Sequence, residues 1–211
     1  METTYRDRTE AGNVLADRLN SLAGRSDVTV LGLVRGGVPV AAAVADRLDA
    51  PLDVLVVRKL GLPAAPELAF GAVGPGGLRV LNDEIADRLD PAEVEEVVRV
   101  ETAELERRER RYREGRPPLR LDNRVAVIVD DGLATGATAR AAVGVARQLG
   151  ARRVVLAVPV GAPEAYALLS ETADEVVCPQ RPAGFGAVSR FYDDFHEVSD
   201  AEVVAVLTGS G

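Results

Sequence analysis

A chain of 211 residues that is 47% hydrophobic can build one domain with a full core and is not a disordered polymer. Its formal net charge of −8 argues against general nucleic-acid binding, and no apolar run approaches membrane-spanning length. The polar start METTYRDRTEAGN lacks the apolar core of a secretion signal. Together these features predict a cytoplasmic protein that acts neither on nucleic acid nor at a membrane. The single cysteine, Cys178, excludes an internal disulfide and a cysteine-built zinc site, and in its apolar run it reads as a buried structural thiol. Of the 25 basic residues only Lys59 is lysine. It marks either a place that needs a compact ammonium or chance retention.

Strand and helix signals alternate along the chain. Val28–Val34 is an apolar run read as the first strand, followed by a helical pattern over Val38–Leu48. Leu52–Val57 is the second strand. Phe70–Leu81 is glycine-rich with short apolar pairs, which suits a hairpin or a loop. Asp90-Pro91-Ala92-Glu93 resembles a capping box with proline at the first helical position, opening a helix to about Arg113 that Gly115, Pro117 and Pro118 end. Val125–Val129 is the third strand, with a helix to about Leu149. Arg153–Val160 is the fourth strand, Pro163–Ser170 a helix and Glu175–Cys178 a short fifth strand. The alternation predicts an α/β fold, a parallel sheet with helices on both faces. Ligands in such sheets bind beyond the carboxyl ends of the strands.

Three segments fall just after strands. The most informative reads VAVIVDDGLATGAT, residues Val125 to Thr138. A β-branched run stops at two carboxylates, Asp130 and Asp131, and a loop of small and hydroxylated residues then opens a helix. Free backbone N–H groups at a helix start favour a phosphate. The acids do not favour a bare phosphate, but they accept hydrogen bonds from hydroxyls. A phosphate beside a vicinal diol is a sugar phosphate, most simply ribose 5-phosphate. The second segment is Arg35-Gly36-Gly37, where glycines permit close approach of the backbone and arginine offers a phosphate fork. The third is Arg58-Lys59, two cations suited to a second anion. Taken alone, either of these two is equally an ordinary strand terminus.

In combination the three segments resemble the type I phosphoribosyltransferases, and Asp130-Asp131 through Thr138 resembles their phosphoribosyl-diphosphate (PRPP) motif. Phe70-Gly71-Ala72-Val73, Glu104-Leu105-Glu106-Arg107-Arg108, Phe191-Tyr192-Asp193-Asp194-Phe195 and Tyr5-Arg6-Asp7-Arg8 through Leu19 resemble a bacterial and archaeal subgroup. The resemblance implies a single domain over residues 1–211, its core about 25–180 and a small hood from about 1–20 and 181–211. It implies that Asp130 and Asp131 hold the ribose hydroxyls, and that Ala134, Thr135, Gly136, Ala137 and Thr138 hold the 5-phosphate. Arg35, Gly36, Gly37, Arg58 and Lys59 would hold pyrophosphate, with a non-proline cis peptide in the loop. Asp130, Asp131, Lys59 and Arg35 would carry the catalysis. Mg²⁺ is the implied cofactor, held mainly by substrate oxygens rather than by a protein cage. Phe191 or Tyr192 would stack on a planar acceptor, with core packing as the competing use. A homodimer is common among the relatives.

The implied reaction is transfer of ribose 5-phosphate from PRPP to a nitrogenous acceptor. Purine, xanthine, uracil, orotate and a non-base nitrogen all stay open. The alternative on the same fold is a non-catalytic PRPP-sensing regulator. A haloacid-dehalogenase-like phosphatase needs an acid where Gly132 stands, and a nucleotide kinase needs a Gly-Lys-Ser/Thr loop that the chain lacks. Glu101–Arg116 spaces Glu and Arg three to four apart, which predicts a solvated, pair-stabilised helix. His196, the only histidine, suits a surface or hydrogen-bonded role. Asp131→Asn is expected to weaken PRPP binding with little loss of fold.

Overall fold

The computed structural model describes residues 4–62 and 65–209. Positions 1–3 and 210–211 of the expected hood segments lie outside the described residues. In chain order the elements are α1 (Arg8–Arg18), β1 (Val28–Leu33), α2 (Gly37–Leu48), β2 (Leu52–Leu55), β3 (Arg58–Leu62), β4 (Ala65–Gly74) and β5 (Leu78–Leu81). There follow α3 (Asp83–Ala86), α4 (Pro91–Tyr112), β6 (Val125–Val129), α5 (Ala137–Gln148), β7 (Arg153–Ala157), α6 (Pro163–Ser170), β8 (Glu175–Val177) and α7 (Asp200–Gly209). Five strands form a parallel sheet in the order β2-β1-β6-β7-β8.

Period-two alternation sorts the central strand between two cores. Val125, Val127 and Val129 face the layer that includes α1, α2 and α7, through Leu15, Val40, Val44 and Val203. Ala126 and Ile128 face the layer of α5 and α6, through Ala142, Val143, Val145 and Leu169. Every side chain of β1 and β6 is buried, as a strand covered on both faces requires. Full burial removes the polar alternation, so these strands read as continuous apolar runs.

The second strand ends at Leu55, short of the predicted Val57. Arg58 and Lys59 therefore do not sit in a strand-to-helix turn. They begin β3, which pairs antiparallel with β4, and β4 with β5, in a separate three-stranded sheet. The glycine-rich Phe70–Leu81 stretch supplies the β4–β5 hairpin. Helix α4 packs on β3 and β4, and α5 packs on the same sheet. Asp90 caps α4 by accepting from the Ala92 amide at 2.8 Å. Along α4 the Glu96–Arg99, Glu104–Arg107 and Glu104–Arg108 pairs form at the predicted spacing.

The terminal segments meet. Tyr5 donates its amide to the Phe191 carbonyl at 2.9 Å, and Asp193 and Asp194 donate to the carbonyls of Tyr5 and Arg6. Tyr5, Phe185, Phe191 and Tyr192 form a small aromatic core of their own. Cys178 is buried, and burial pushes its thiol up to about 11, so it stays protonated and inert at neutral pH.

Candidate active site

Strands β1 and β6 are neighbours, with Gly32 opposite Val129. Their carboxyl ends therefore place Arg35–Gly37 and Asp130–Asp131 side by side. The fit is close enough to demand glycine. A Cβ on Gly36 would fall 2.1 Å from Asp131 Oδ2, and one on Gly37 would fall 2.5 Å from the Val129 carbonyl oxygen. The Val34–Arg35 peptide is cis, as the resemblance implied.

Beyond Asp131 the loop crosses to the next strand end, where Leu133 donates to the Val160 carbonyl at 2.9 Å and Ala162 donates to that of Leu133 at 2.8 Å. Gly136 adopts φ +78 before α5 begins, a left-handed conformation open to glycine at no steric cost. Among the described residues, the amides of Ala134, Thr135 and Gly136 have no acceptor. Thr135 and Thr138 are exposed. Unpartnered amides, hydroxyls and a helix N-terminus in one loop could receive a phosphate group.

The acids are set differently from one another. Asp130 accepts from the Asp131 amide at 2.9 Å. Burial drives its carboxyl well above the usual carboxylate range, and the Asp131 carboxylate pushes the same way. Burial also raises Asp131, against the pull of Arg8. Ionising these groups costs the fold stability. That cost grows as pH rises from about 4, the unfolded carboxyl value, through their folded-state values.

Arg8 is the residue that sequence reasoning missed. It is 7% exposed and donates from Nε and Nη2 to Asp131 Oδ2 at 3.0 and 2.9 Å. Its Nη1 donates to the His196 carbonyl at 2.9 Å, and its guanidinium lies 4.1 Å from the Phe195 ring centroid. A buried carboxylate generally needs a partner, a cation or a hydrogen-bond donor. One arginine among 24 carried no mark of being it.

The remaining predicted residues divide. Lys59 is exposed, forms no ion pair among the described residues, and lines a cavity of about 300 Å³ together with Ala137 and Arg140. It is thus brought to the start of α5. The Arg35 guanidinium instead pairs with Glu197 and lies 3.9 Å from Asp200, and Arg58 pairs with Glu101 at 2.6 Å. Phe191 is buried and stacks on Phe185 with centroids 5.6 Å apart. Tyr192 is also buried, between Tyr5 and Phe195, and donates its hydroxyl to the Asp131 carbonyl at 2.6 Å. Both rings serve the protein's own packing, the competing use noted above.

His196 is exposed between two acids, with Nδ1 3.0 Å from Asp194 and Nε2 2.9 Å from Glu202. The bonds to these carboxylates raise it above its ordinary value. Its contribution to stability is complete below the unfolded value of about 6.5 and is lost as pH rises through the folded value. An NMR titration should find His196 above about 6.5, with a lower midpoint in Asp194→Asn. An unchanged midpoint in that variant would remove Asp194 as a cause.

Comparison with known proteins follows the same outline. Residues 6–196 match the family described as the phosphoribosyl transferase domain. A Mycobacterium tuberculosis protein with a provisional phosphoribosyl transferase name is 56% identical over 205 residues, which is 96% of this chain. The chain spans 46% of the length of that relative. The crystal structure of TT1426 from Thermus thermophilus superposes with a TM-score of 0.91 at 46% identity, covering 98% of this chain and 99% of that one. The AQ2163 protein from Aquifex aeolicus shares the fold at 12% identity, with a TM-score of 0.51 over 95% of this chain and 86% of its own.

Proposed function

This chain belongs to the phosphoribosyl transferase domain family, and on that premise we propose that it transfers ribose 5-phosphate from PRPP to a nitrogenous acceptor, probed most directly with nucleobases. The observation that carries the reading is the pair of carboxylates flush against a glycine loop on one side and a phosphate-ready helix start on the other. No single anion explains both halves, whereas a phosphorylated ribose bearing pyrophosphate fills each. Asp130 and Asp131 accept from the ribose hydroxyls. The Ala134–Thr138 segment receives the 5-phosphate. The Gly36–Gly37 loop, Arg35, Arg58 and Lys59 receive the pyrophosphate.

The donor set fits Mg²⁺ carried on the substrate. The Asp130 and Asp131 carboxylates stand against the Gly36–Gly37 loop, and Mg²⁺ readily keeps carboxylate, phosphate and water oxygens as ligands. When bound it would supply charge neutralisation at the pyrophosphate. The chain's residues do the rest by position. The C1–oxygen bond breaks with its electron pair leaving on pyrophosphate, the acceptor nitrogen forms the new bond to C1, and the nitrogen's proton passes to solvent. Lys59 and Arg35 stabilise the leaving charge, while the carboxylates hold the ribose and face the positive charge that develops on it. No protein nucleophile takes part.

Among the described residues no helix is long and apolar enough to cross a membrane. Mixing the protein with PRPP, Mg²⁺ and a panel of nucleobases should release pyrophosphate only in the presence of one acceptor or a few. PRPP binding with no acceptor-dependent pyrophosphate would replace the transferase by a PRPP-sensing regulator.

A further inference from the structure

The ion pair at Asp131 is lopsided. Both guanidinium bonds from Arg8 end on Oδ2, at 3.0 and 2.9 Å. Among the described residues no donor reaches Oδ1. No buried side-chain oxygen among the described residues lacks a partner, so Oδ1 reaches solvent and is open to a ligand, while Oδ2 is taken up by Arg8. Arg8 is itself held on its other sides, by the His196 carbonyl and by the face of Phe195. Its helix is fixed at the start by Asp7, which caps the Glu10 amide at 2.8 Å. Tyr192 fixes the Asp131 backbone from the opposite chain end. Contacts from α1 and from the Tyr192–His196 segment therefore hold one carboxylate in place while its Oδ1 is left open.

We propose that Arg8 is a positioning residue: by tying down Oδ2 it aims Oδ1 of Asp131 as the acceptor for a ribose hydroxyl. This rests on the transferase reading of the site. It assigns the N-terminal helix a part in recognising the sugar and none in holding pyrophosphate, which meets the protein at the Arg35–Gly37 loop and Lys59. Lysine cannot replace this arginine, because a single ammonium does not reproduce the two-pronged grip on one oxygen.

The test is calorimetric titration with ribose 5-phosphate and, separately, with pyrophosphate, both with Mg²⁺, on the wild-type chain, Arg8→Lys and Arg8→Gln. Circular dichroism establishes that each is folded, and Arg8→Lys, which keeps the charge, serves if Arg8→Gln unfolds. The expected result is a loss of about tenfold in ribose 5-phosphate affinity, the factor one charge-assisted hydrogen bond carries. Pyrophosphate affinity of Arg8→Lys should stay within about twofold of wild type, because that ligand does not use Asp131. Equal losses for both ligands would overturn the inference by making Arg8 a general structural residue. Tighter ribose 5-phosphate binding in the variants would overturn it by making Arg8 a plug. A wild-type chain that binds no ribose 5-phosphate overturns the transferase reading, and this inference with it.

Discussion

Asp131→Ala is expected to cost about 3–5 kcal/mol of stability and to weaken ribose 5-phosphate binding by at least about tenfold. The two losses have separate origins. Stability falls because Arg8, 7% exposed, loses the acceptor of two of its hydrogen bonds and is left as an uncompensated buried charge. Binding falls because the ribose hydroxyl loses Oδ1. Sequence reasoning alone treats the milder Asp131→Asn as harmless to the fold. The buried guanidinium changes that, because the amide offers Arg8 an uncharged oxygen in place of a carboxylate, so a smaller loss of the same kind is expected. Urea denaturation read beside calorimetry separates the effects. An alanine variant as stable as wild type would mean that Arg8 finds water or another acceptor on its own.

Gly37→Ala is expected to destabilise the chain by about 1–3 kcal/mol or more and to spoil PRPP binding with it. The added Cβ would stand 2.5 Å from the Val129 carbonyl oxygen and 2.8 Å from the Asp130 Cα. Both are backbone atoms at the end of β6, the central strand of the sheet, which is paired on both sides. They cannot rotate away as a side chain would, so the two loops must part. Gly36→Ala meets a softer obstacle, the Asp131 carboxylate, though Arg8 holds that group in place. Thermal melting with and without PRPP measures both changes. A Gly37→Ala chain that melts and binds like wild type would show that the loops separate freely and that their contact is not needed.

The parallel sheet was legible chiefly because β1 and β6 are buried on both faces and read as near-continuous apolar runs. The α6 boundaries match the prediction at both ends, with Pro163 at the first helical turn. What escaped was determined by tertiary contact. Arg58–Leu62 carries two cations and a glycine, so it does not resemble a strand, yet it pairs with β4 through backbone bonds that any side chain permits. Helix α1 lies in polar sequence and is held by packing on α2, and α7 lies in apolar sequence with little amphipathic contrast and packs on α2 and α4. In the site, Asp130 and Asp131 stood out because side-by-side acids at the end of an apolar strand need partners, and Gly36 and Gly37 because they follow a strand where backbone can approach a ligand. The roles of Arg8 and Tyr192 were not, since each depends on a partner more than 60 residues away. Tyr192 was noticed as an aromatic ring, but its hydroxyl does the work at Asp131.

Arg35 has an acceptor already. Glu197 and Asp200 hold its guanidinium, and Asp200 also accepts from the Tyr112 hydroxyl at 2.5 Å and pairs with Arg111 at 3.2 Å. On the proposed reading, an arriving pyrophosphate competes with those carboxylates, so its capture is an exchange of one anion for another. Coupling of this kind is reciprocal: whatever the C-terminal segment gains by clasping Arg35 is subtracted from the affinity for phosphate. Pairs this exposed are worth about 0–1 kcal/mol, so the subtraction amounts to no more than about fivefold. On that reading α1 is tied to the acid that takes the sugar, while Glu197 and Asp200 are tied to the arginine that takes the leaving group.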